Sequence, residues 1–474
     1  MLQVIIPMLA LLIIVIFKKI PKIGGNVKLG LFMAGALTLL LAGQFNPGQW
    51  ILAWIDGLNR LSWIIALSIF GSLFAEVSSH IGTIDTIIGA FTAKFGRHPR
   101  TLLVCILFAL TLAGSLLGDA IAAATVIGML TVGILASMNL ELEKICAIII
   151  MGAVTGSIMP PMTQALAMAS SLAGANPDTV INMGYLTISI VFVVISIYTG
   201  VFLVKKDNVP GANKEVQVKF TDQTASQILR NNWKSLIPMC VLILIVLLRT
   251  VKIPFISVDL GPFILQNIKF LSLDSGDTVI SLYDWLSNVT ILKGVTNGIV
   301  LAIICAFAFS FIFPEVRANG SQIVRDGLSK VSGTVMLQVF CSFMLGSFYL
   351  SGSIDIVSSF CQGLDSNVLK IGGVVAIMLV GMLTGSQSTA QNVIFSFFGP
   401  ALVATGMSST YAALAGAHLA TGAQCLPGAN LTGFVVVGIV SAQFGKKVDP
   451  IKSMVYCLPL CAIMTIIGVF FLFI

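Results

Sequence analysis

The chain has 474 residues, of which 57% are hydrophobic and only 9% charged, with a mean hydropathy of +1.02. Soluble domains carry charge at about a quarter of their positions, so this composition excludes a soluble globular protein and points to a multi-pass membrane protein. The formal net charge of +7 sits in short loops, where basic residues set membrane orientation, so no nucleic-acid partner is expected.

Apolar runs of spanning or near-spanning length begin around Leu2, Val27, Leu61, Thr101, Lys144 and Val180. The loop after the first run carries Lys18, Lys19, Lys22 and Lys28 and is expected to be cytoplasmic. Glu76, near the end of the third run, reads as an interfacial or packing residue. The segment "HIGTIDTIIGAFTAKFGRHPR", 80–100, has the pattern of an amphipathic arm lying in the interface. Next, "TLLVCILFALTLAG" leads into "SLLGDAIAAATVIGMLTVGILASM". Each piece is too short to cross comfortably alone, which predicts a re-entrant hairpin with its tip inside the bilayer. Irregular backbone at that depth must be covered by protein or line a cavity. Gly114, Ser115 and Gly118 suit the tip, since glycine permits the turn and a hydroxyl can satisfy stranded backbone. Asp119 is the one carboxylate in either predicted hairpin. A charge in the membrane is by default a functional hypothesis: it binds a coupling cation, carries a proton, or caps the helix starting at Ala120. In "TGSIMPP", 155–161, Pro160 and Pro161 predict a broken helix, with free carbonyls on one side and free N–H groups on the other.

The polar stretch 205–234 divides the chain nearly in half. Further apolar runs begin around Ser235, Val289, Val335, Lys370, Thr410 and Ile451. A second arm is predicted in "SGSIDIVSSFCQGLDSNVLK", and a second hairpin where "GGVVAIMLVGMLTG" leads into "SQSTAQNVIFSFFGPALVATGM". Its tip, with Gly385, Ser386 and Ser388, offers Gln391 and Asn392 as neutral counterparts of Asp119. "TGAQCLP", 421–427, predicts a second broken helix at Pro427. His418 lies one turn before Thr421 and reads as a hydrogen-bonded histidine, with a group that titrates near neutral pH as the alternative. Arg249 ends a span and is expected to snorkel outward. Neither tip nor either TG…P segment contains a lysine or arginine. The charge of an anionic ligand would then have to be met by helix ends, hydroxyls, amides and a bound cation, or the ligand is not strongly anionic. Trp50, Trp54, Trp63 and Trp285 suit an aromatic belt. The nine cysteines form no CxxC pair and the three histidines are scattered, so no metal centre, enzyme site or resident cofactor is expected.

Three matches link the halves. "GTID" at Gly82 recurs as "GSID" at Gly352, Gly114–Ser115 as Gly385–Ser386, and "TGSIMPP" at Thr155 as "TGAQCLP" at Thr421. Residues 1–204 and 235–474 therefore read as two copies of one unit, with 205–234 as a cytoplasmic linker. The loop charges of the copies have opposite signs: +4 after the first run against −2 over 250–284, +2 over 80–100 against −1 over 352–370, and −1 over 175–180 against +2 over 446–452. The expected architecture is an all-α integral membrane protein of two inverted repeats, as in secondary transporters. A channel or a membrane-embedded enzyme is the competing class.

"GSLLGDAIAAATVIGMLT", then "AIIIMGAVTGSIMPP" and "NMGYL", resemble the large membrane subunit of tripartite (TRAP-type) carboxylate transporters. That family belongs to the ion transporter superfamily, with divalent-anion sodium symporters and lactate permeases. In the second half, "LTGSQSTAQNVIF" and "LPGANL" resemble lactate permeases at least as much. The resemblance implies a scaffold carrying a transport domain that moves as an elevator, coupling to sodium or protons, and a small carboxylate substrate. Carried over by position, cation ligands would be Ser115, Gly118, Asp119, Thr155 and Gly156 in one half. Ser386, Ser388, Asn392, Thr421 and Gly422 would serve the other. Substrate contacts would be Ser115, Pro161, Ser386, Ser388, Thr389, Asn392, Pro427 and Asn430. Neither tip has the Ser-Asn-Thr triplet of the divalent-anion symporters; "SQSTAQN" holds the same chemistry in another order. The resemblance also implies a prokaryotic inner-membrane location and a homodimeric scaffold. The chain would either work with a small membrane subunit and a periplasmic or extracellular binding protein, or act alone as a symporter.

Overall fold

The structure, a computed structural model, describes residues 2–16, 21, 23–95, 98–204, 223–250, 260–271, 279–353, 355–356, 366–428 and 430–474. Most of the linker (205–222), Lys18, Lys19 and Lys22, much of 250–284 and the middle of the second arm lie outside the described residues.

In chain order the first helices are α1 (Leu2–Ile16), α2 (Val27–Leu41), α3 (Pro47–His80), α4 (Thr83–Phe95) and α5 (Pro99–Leu117). After a break come α6 (Ala120–Ala123), a π turn (Ala124–Gly128) and α7 (Met129–Ser137), then α8 (Leu142–Ile158), α9 (Gln164–Ala173) and α10 (Pro177–Tyr198). Beyond the linker follow α11 (Ala225–Thr250), α12 (Leu260–Asn267), an antiparallel ribbon of β1 (Lys269–Leu271) and β2 (Val279–Ser281), α13 (Leu282–Asn288), α14 (Gly298–Ser310), α15 (Pro314–Ala318) and α16 (Gly320–Leu350). The rest is α17 (Ser366–Thr384), α18 (Gln387–Ala390), a π turn (Gln391–Phe395), α19 (Ser396–Ala404), α20 (Ser409–Gln424), α21 (Leu431–Phe444), α22 (Pro450–Val455) and α23 (Leu458–Phe473). The fold is thus mostly helical, and the ribbon is an addition to the all-α expectation. Among the described residues, five helices are long and apolar enough to cross a membrane.

The chain forms two compact units, each drawing on both sides of the linker. The first comprises residues 1–81 and 235–356, built around α3 and α16. At 34 and 31 residues, these helices have contour lengths of about 50 Å and 46 Å, longer than the ~30 Å hydrocarbon layer, and α16 bends by 44° between Gly320–Gly333 and Val335–Leu350. Hydropathy alone places the α3 span at Leu61, but Asn46 caps the helix and Pro47 opens it fourteen residues earlier. The intervening polar residues pair along the helix, Arg60 with Asp56 at 2.8 Å, so they extend it instead of ending it. The two helices touch backbone to backbone: a Cβ on Gly57 would lie 1.8 Å from Ser342 O, and one on Gly346 1.8 Å from Ala53 O. Phe343 stacks on Phe32 at 5.0 Å and meets Trp54 at 5.2 Å, while Trp54 Nε1 donates to Val339 O at 2.9 Å. Glu76 pairs with Lys330 within this unit, in keeping with a packing role.

The second unit comprises 82–234 and 357–474. Its elements recur in one order. α5, its break, the four-residue α6, a five-residue π turn and the nine-residue α7 are matched by α17, its break, α18, a π turn and α19. The π turns start at 124 and 391, and α8 and α20 at 142 and 409. Both intervals are 267 positions. Packing follows the same interval: Gly114 of α5 lies against Gly156 of α8, and Gly381 of α17 against Ala423 of α20. At the start of α8, Glu141 and Glu143 face Lys452 of α22 at 3.2 and 3.7 Å. The hydrogen bond from Lys452 holds the Glu141 carboxyl below the ordinary carboxylate range.

Candidate functional site

Both hairpins and both broken helices fall in the second unit. In each hairpin one residue ends the inbound helix and the next starts the outbound one. Gly118 closes α5 in the left-handed region, φ 65°, and Asp119 caps α6, its Oδ1 accepting from Ala122 N at 2.7 Å. Gly385, φ 63°, closes α17, and Ser386 caps α18 by accepting from Thr389 N at 3.3 Å. Glycine fills both positions because left-handed backbone is strained for other residues. The first tip therefore turns four residues later than the Gly114–Ser115 match suggests, and the structural counterpart of Asp119 is Ser386. Ser115 lies one turn back on α5.

Each tip lies against a helix break. Ser115 Oγ donates to Pro160 O at 2.8 Å, and Gly118 lies against Met162 O, with a Cβ there reaching 2.8 Å. In the second half, Leu431 N donates to Gly385 O at 3.4 Å. The half-helices after the breaks are capped in the same way: Thr163 Oγ1 accepts from Leu166 N, and Asn430 Oδ1 from Gly433 N at 2.8 Å. The halves also cross over. Gln391 Nε2 donates to Ala165 O of α9 at 2.8 Å, and α21 packs on α6 and the first π turn.

Around the second tip a buried polar cluster joins three helices. Gln387, the first residue of α18, receives Thr421 Oγ1 at 3.0 Å, Gln424 Nε2 at 3.3 Å and Ser157 Oγ at 3.4 Å on its Oε1. Beside it, the Ser386 and Ser388 hydroxyls are 3.1 Å apart.

Several buried polar atoms in this unit have no hydrogen-bond partner among the described residues: Thr155 Oγ1, both amide atoms of Asn392, Ser396 Oγ, His418 Nε2 and Asn430 Nδ2. Asn392, Ser396, His418 and Thr155 are fully buried. A buried amide with neither end satisfied costs roughly 1–3 kcal/mol per lost partner, so such groups call for a ligand, an ion or water.

Of the predicted cation set, Ser115, Gly118, Asp119, Ser386, Ser388 and Thr421 lie at the tips or in their bonded shells. Thr155 and Asn392 are buried and unpartnered. Gly156 and Gly422 are close-packed, against α5 and against Met464 of α23 respectively. Of the substrate set, Pro161, Pro427 and Asn430 lie in the breaks, and Thr389 is buried in α18. Sequence reasoning passed over Gln387, Gln424, Ser157 and Ser396. Their partners are remote in sequence, and only the density of amides in "SQSTAQN" marks the region.

The first-half motifs find an independent match. Residues 9–345 match the family described as the tripartite ATP-independent periplasmic transporter, DctM component, a span of more than two thirds of the chain. This chain belongs to that family. The DctM match takes in the first hairpin and first broken helix and stops before the second hairpin. No curated protein matches the sequence. Among solved structures, the chain is similar to the Alcanivorax borkumensis YdaH transporter, with TM-score 0.57, 13% identity, 91% of this chain and 88% of that one covered. It is also similar to Neisseria gonorrhoeae MtrF, described within a class of antimetabolite efflux pumps, with TM-score 0.57, 14% identity and 92% and 85% covered. At such identity the likeness concerns the fold.

Proposed function

We propose that this DctM-family membrane transporter couples a cation gradient, sodium before protons, to import of a small mono- or dicarboxylate by an elevator-type movement. The observation that carries the reading is that one compact unit gathers both hairpin tips and both helix breaks, with buried polar groups that lack protein partners. A hard cation takes oxygen ligands, and the hydroxyls of Ser115, Thr155, Ser386, Ser388 and Thr421, the Asn392 amide and the Asp119 carboxylate form such a set. Helix N-termini at α9 and α21 suit a carboxylate. The loop charges and the recurring elements support two inverted repeats, with the second unit as the moving part and the first as scaffold. As a DctM component it would work with a small membrane subunit and a periplasmic binding protein, in the inner membrane, on a homodimeric scaffold.

A stand-alone symporter is the second reading, favoured by the lactate-permease-like "LTGSQSTAQNVIF", which lies beyond the family match. The test is uptake of a carboxylate panel by purified protein in proteoliposomes, with and without an inward sodium gradient. Saturable, sodium-stimulated uptake by the chain alone supports the second reading. Uptake that appears only with the partner proteins supports the first. Conductance without saturable uptake refutes both.

A further inference from the structure

Oxygen and nitrogen of a glutamine amide are told apart by what they touch. At the second tip an unambiguous donor settles the question. The backbone N–H of Gln387 can only donate, and it meets the Gln424 amide at 3.3 Å, so the atom there is Gln424 Oε1. The other end of that amide is then Nε2, a donor, and it lies 3.3 Å from the Gln387 side chain. The Gln387 atom it faces must be the acceptor Oε1. The hydroxyls of Thr421 and Ser157 cannot decide this alone, because each also lies 2.8 Å from a carbonyl of its own helix, Ala417 O and Val154 O. They are compatible with it.

The consequence falls on the other end of Gln387. Its oxygen is held by the Gln424 amide and two hydroxyls, from α20 and α8, so the side chain is pinned. Its Nε2 donates to nothing among the described residues, and it is the accessible end of a residue that is otherwise nine-tenths buried. A fixed amide that keeps two N–H groups free and accessible beside the Ser386 and Ser388 hydroxyls, in a residue otherwise buried, is placed to meet an acceptor that enters there. Cations are repelled by such a group. We infer that Gln387 is the specificity-determining donor of the second hairpin, receiving a carboxylate oxygen of the transported anion. This rests on the transport reading above and adds the residue and the sign of its contact: in a region without lysine or arginine, neutral amide donors do the anion recognition.

Gln387→Glu is the informative substitution. A carboxylate keeps an oxygen for the three donors but turns the free end from an N–H donor into a charged acceptor, so the KM of Q387E is read together with that of Gln387→Met, which removes the donor without adding charge. With succinate and L-lactate as probes in sodium-driven proteoliposome uptake, Q387E is expected to raise KM roughly ten- to hundredfold, the worth of a hydrogen bond to a charged group. Should Q387E fail to fold, Gln387→Met, similar in length and without the amide, is expected to raise KM to the same extent. A KM within about twofold of wild type in the folded variant overturns the assignment. So does an unchanged KM with a lower half-saturating sodium concentration, which would make the free end a cation ligand. If wild type transports neither probe, the transport reading fails for these anions. The residue is then judged by thermal stabilisation of the purified protein by the same anions, which wild type shows and Q387M lacks; equal stabilisation of both, or of neither, refutes it.

Discussion

Asp119 has a capping role open to it and a charge-bearing one, for a coupling cation or a proton, and the two kinds separate by substitution. As the cap of the α6 run its Oδ1 accepts from Ala122 N, a contact that asparagine reproduces and alanine does not. As a charge it would serve the coupling cation, and asparagine then fails. Asp119→Ala should lower stability by about 1 kcal/mol and stop uptake. Asp119→Asn should melt near wild type and still lose at least about tenfold in sodium-driven uptake, a difference of roughly 1.4 kcal/mol in barrier. If D119N transports normally, the carboxylate is only a cap. Asn392 carries the opposite signature. Both its amide atoms are buried and unpartnered, and replacing such a group by an apolar one of similar size is neutral or stabilising. Asn392→Leu is therefore expected to keep or raise the melting temperature in the absence of ligand while abolishing uptake. A variant that melts lower and transports normally would make Asn392 a packing residue.

At the scale of elements, the helix breaks at both tips and in both TG…P segments were readable in the sequence because their causes are local: proline ends a ladder, and small polar residues interrupt an apolar run. The register of the first tip was not. "GSLLGD" holds two glycines, and matching Gly114–Ser115 to Gly385–Ser386 selects the wrong one. What decides is a cap pair, a left-handed glycine followed at once by an N-capping side chain, and only Gly118–Asp119 supplies it. The polar cluster on Gln387 was out of reach for another reason: its members at 157, 387, 421 and 424 meet only through tertiary packing. The length of α3 was hidden because hydropathy ignores a polar face. In the first unit, where α3 and α16 meet at Gly57 and Gly346, no side chain fits. Gly57→Leu must push the helices apart, at a cost of about 1–3 kcal/mol or more for overpacking. A marked fall in the melting temperature and in folded yield should follow, whereas Gly333→Leu, with nothing within 4 Å of its Cβ position, should be tolerated. Equal behaviour of the two would refute the close packing.

For the whole molecule, the division into two units cuts across the chain halves, and that has a mechanical consequence. Each unit is stitched from segments on both sides of the linker, so internal motion within a unit would have to break helix packing, whereas motion of one unit as a body leaves that packing intact. In the second unit the contacts that matter are bonds between hairpin and broken helix, Ser115 to Pro160 and Gln391 to Ala165, which tie the site together as one piece. Packed interiors resist gradual deformation, which supports the rigid-body displacement proposed above. Spin labels test this in a background freed of the nine native cysteines. Ile371 and Ile466 of the second unit, and Leu41 and Ile312 of the first, are exposed apolar positions. Label pairs within a unit, 371 with 466 and 41 with 312, should keep their distance distributions when sodium and carboxylate are added. The pair 41 with 371, one in each unit, should shift or gain a second population. If the within-unit pair 371–466 broadens while 41–371 stays fixed, the site opens by local gating of a hairpin. The elevator reading would then be withdrawn, leaving the carboxylate chemistry of the tip in place.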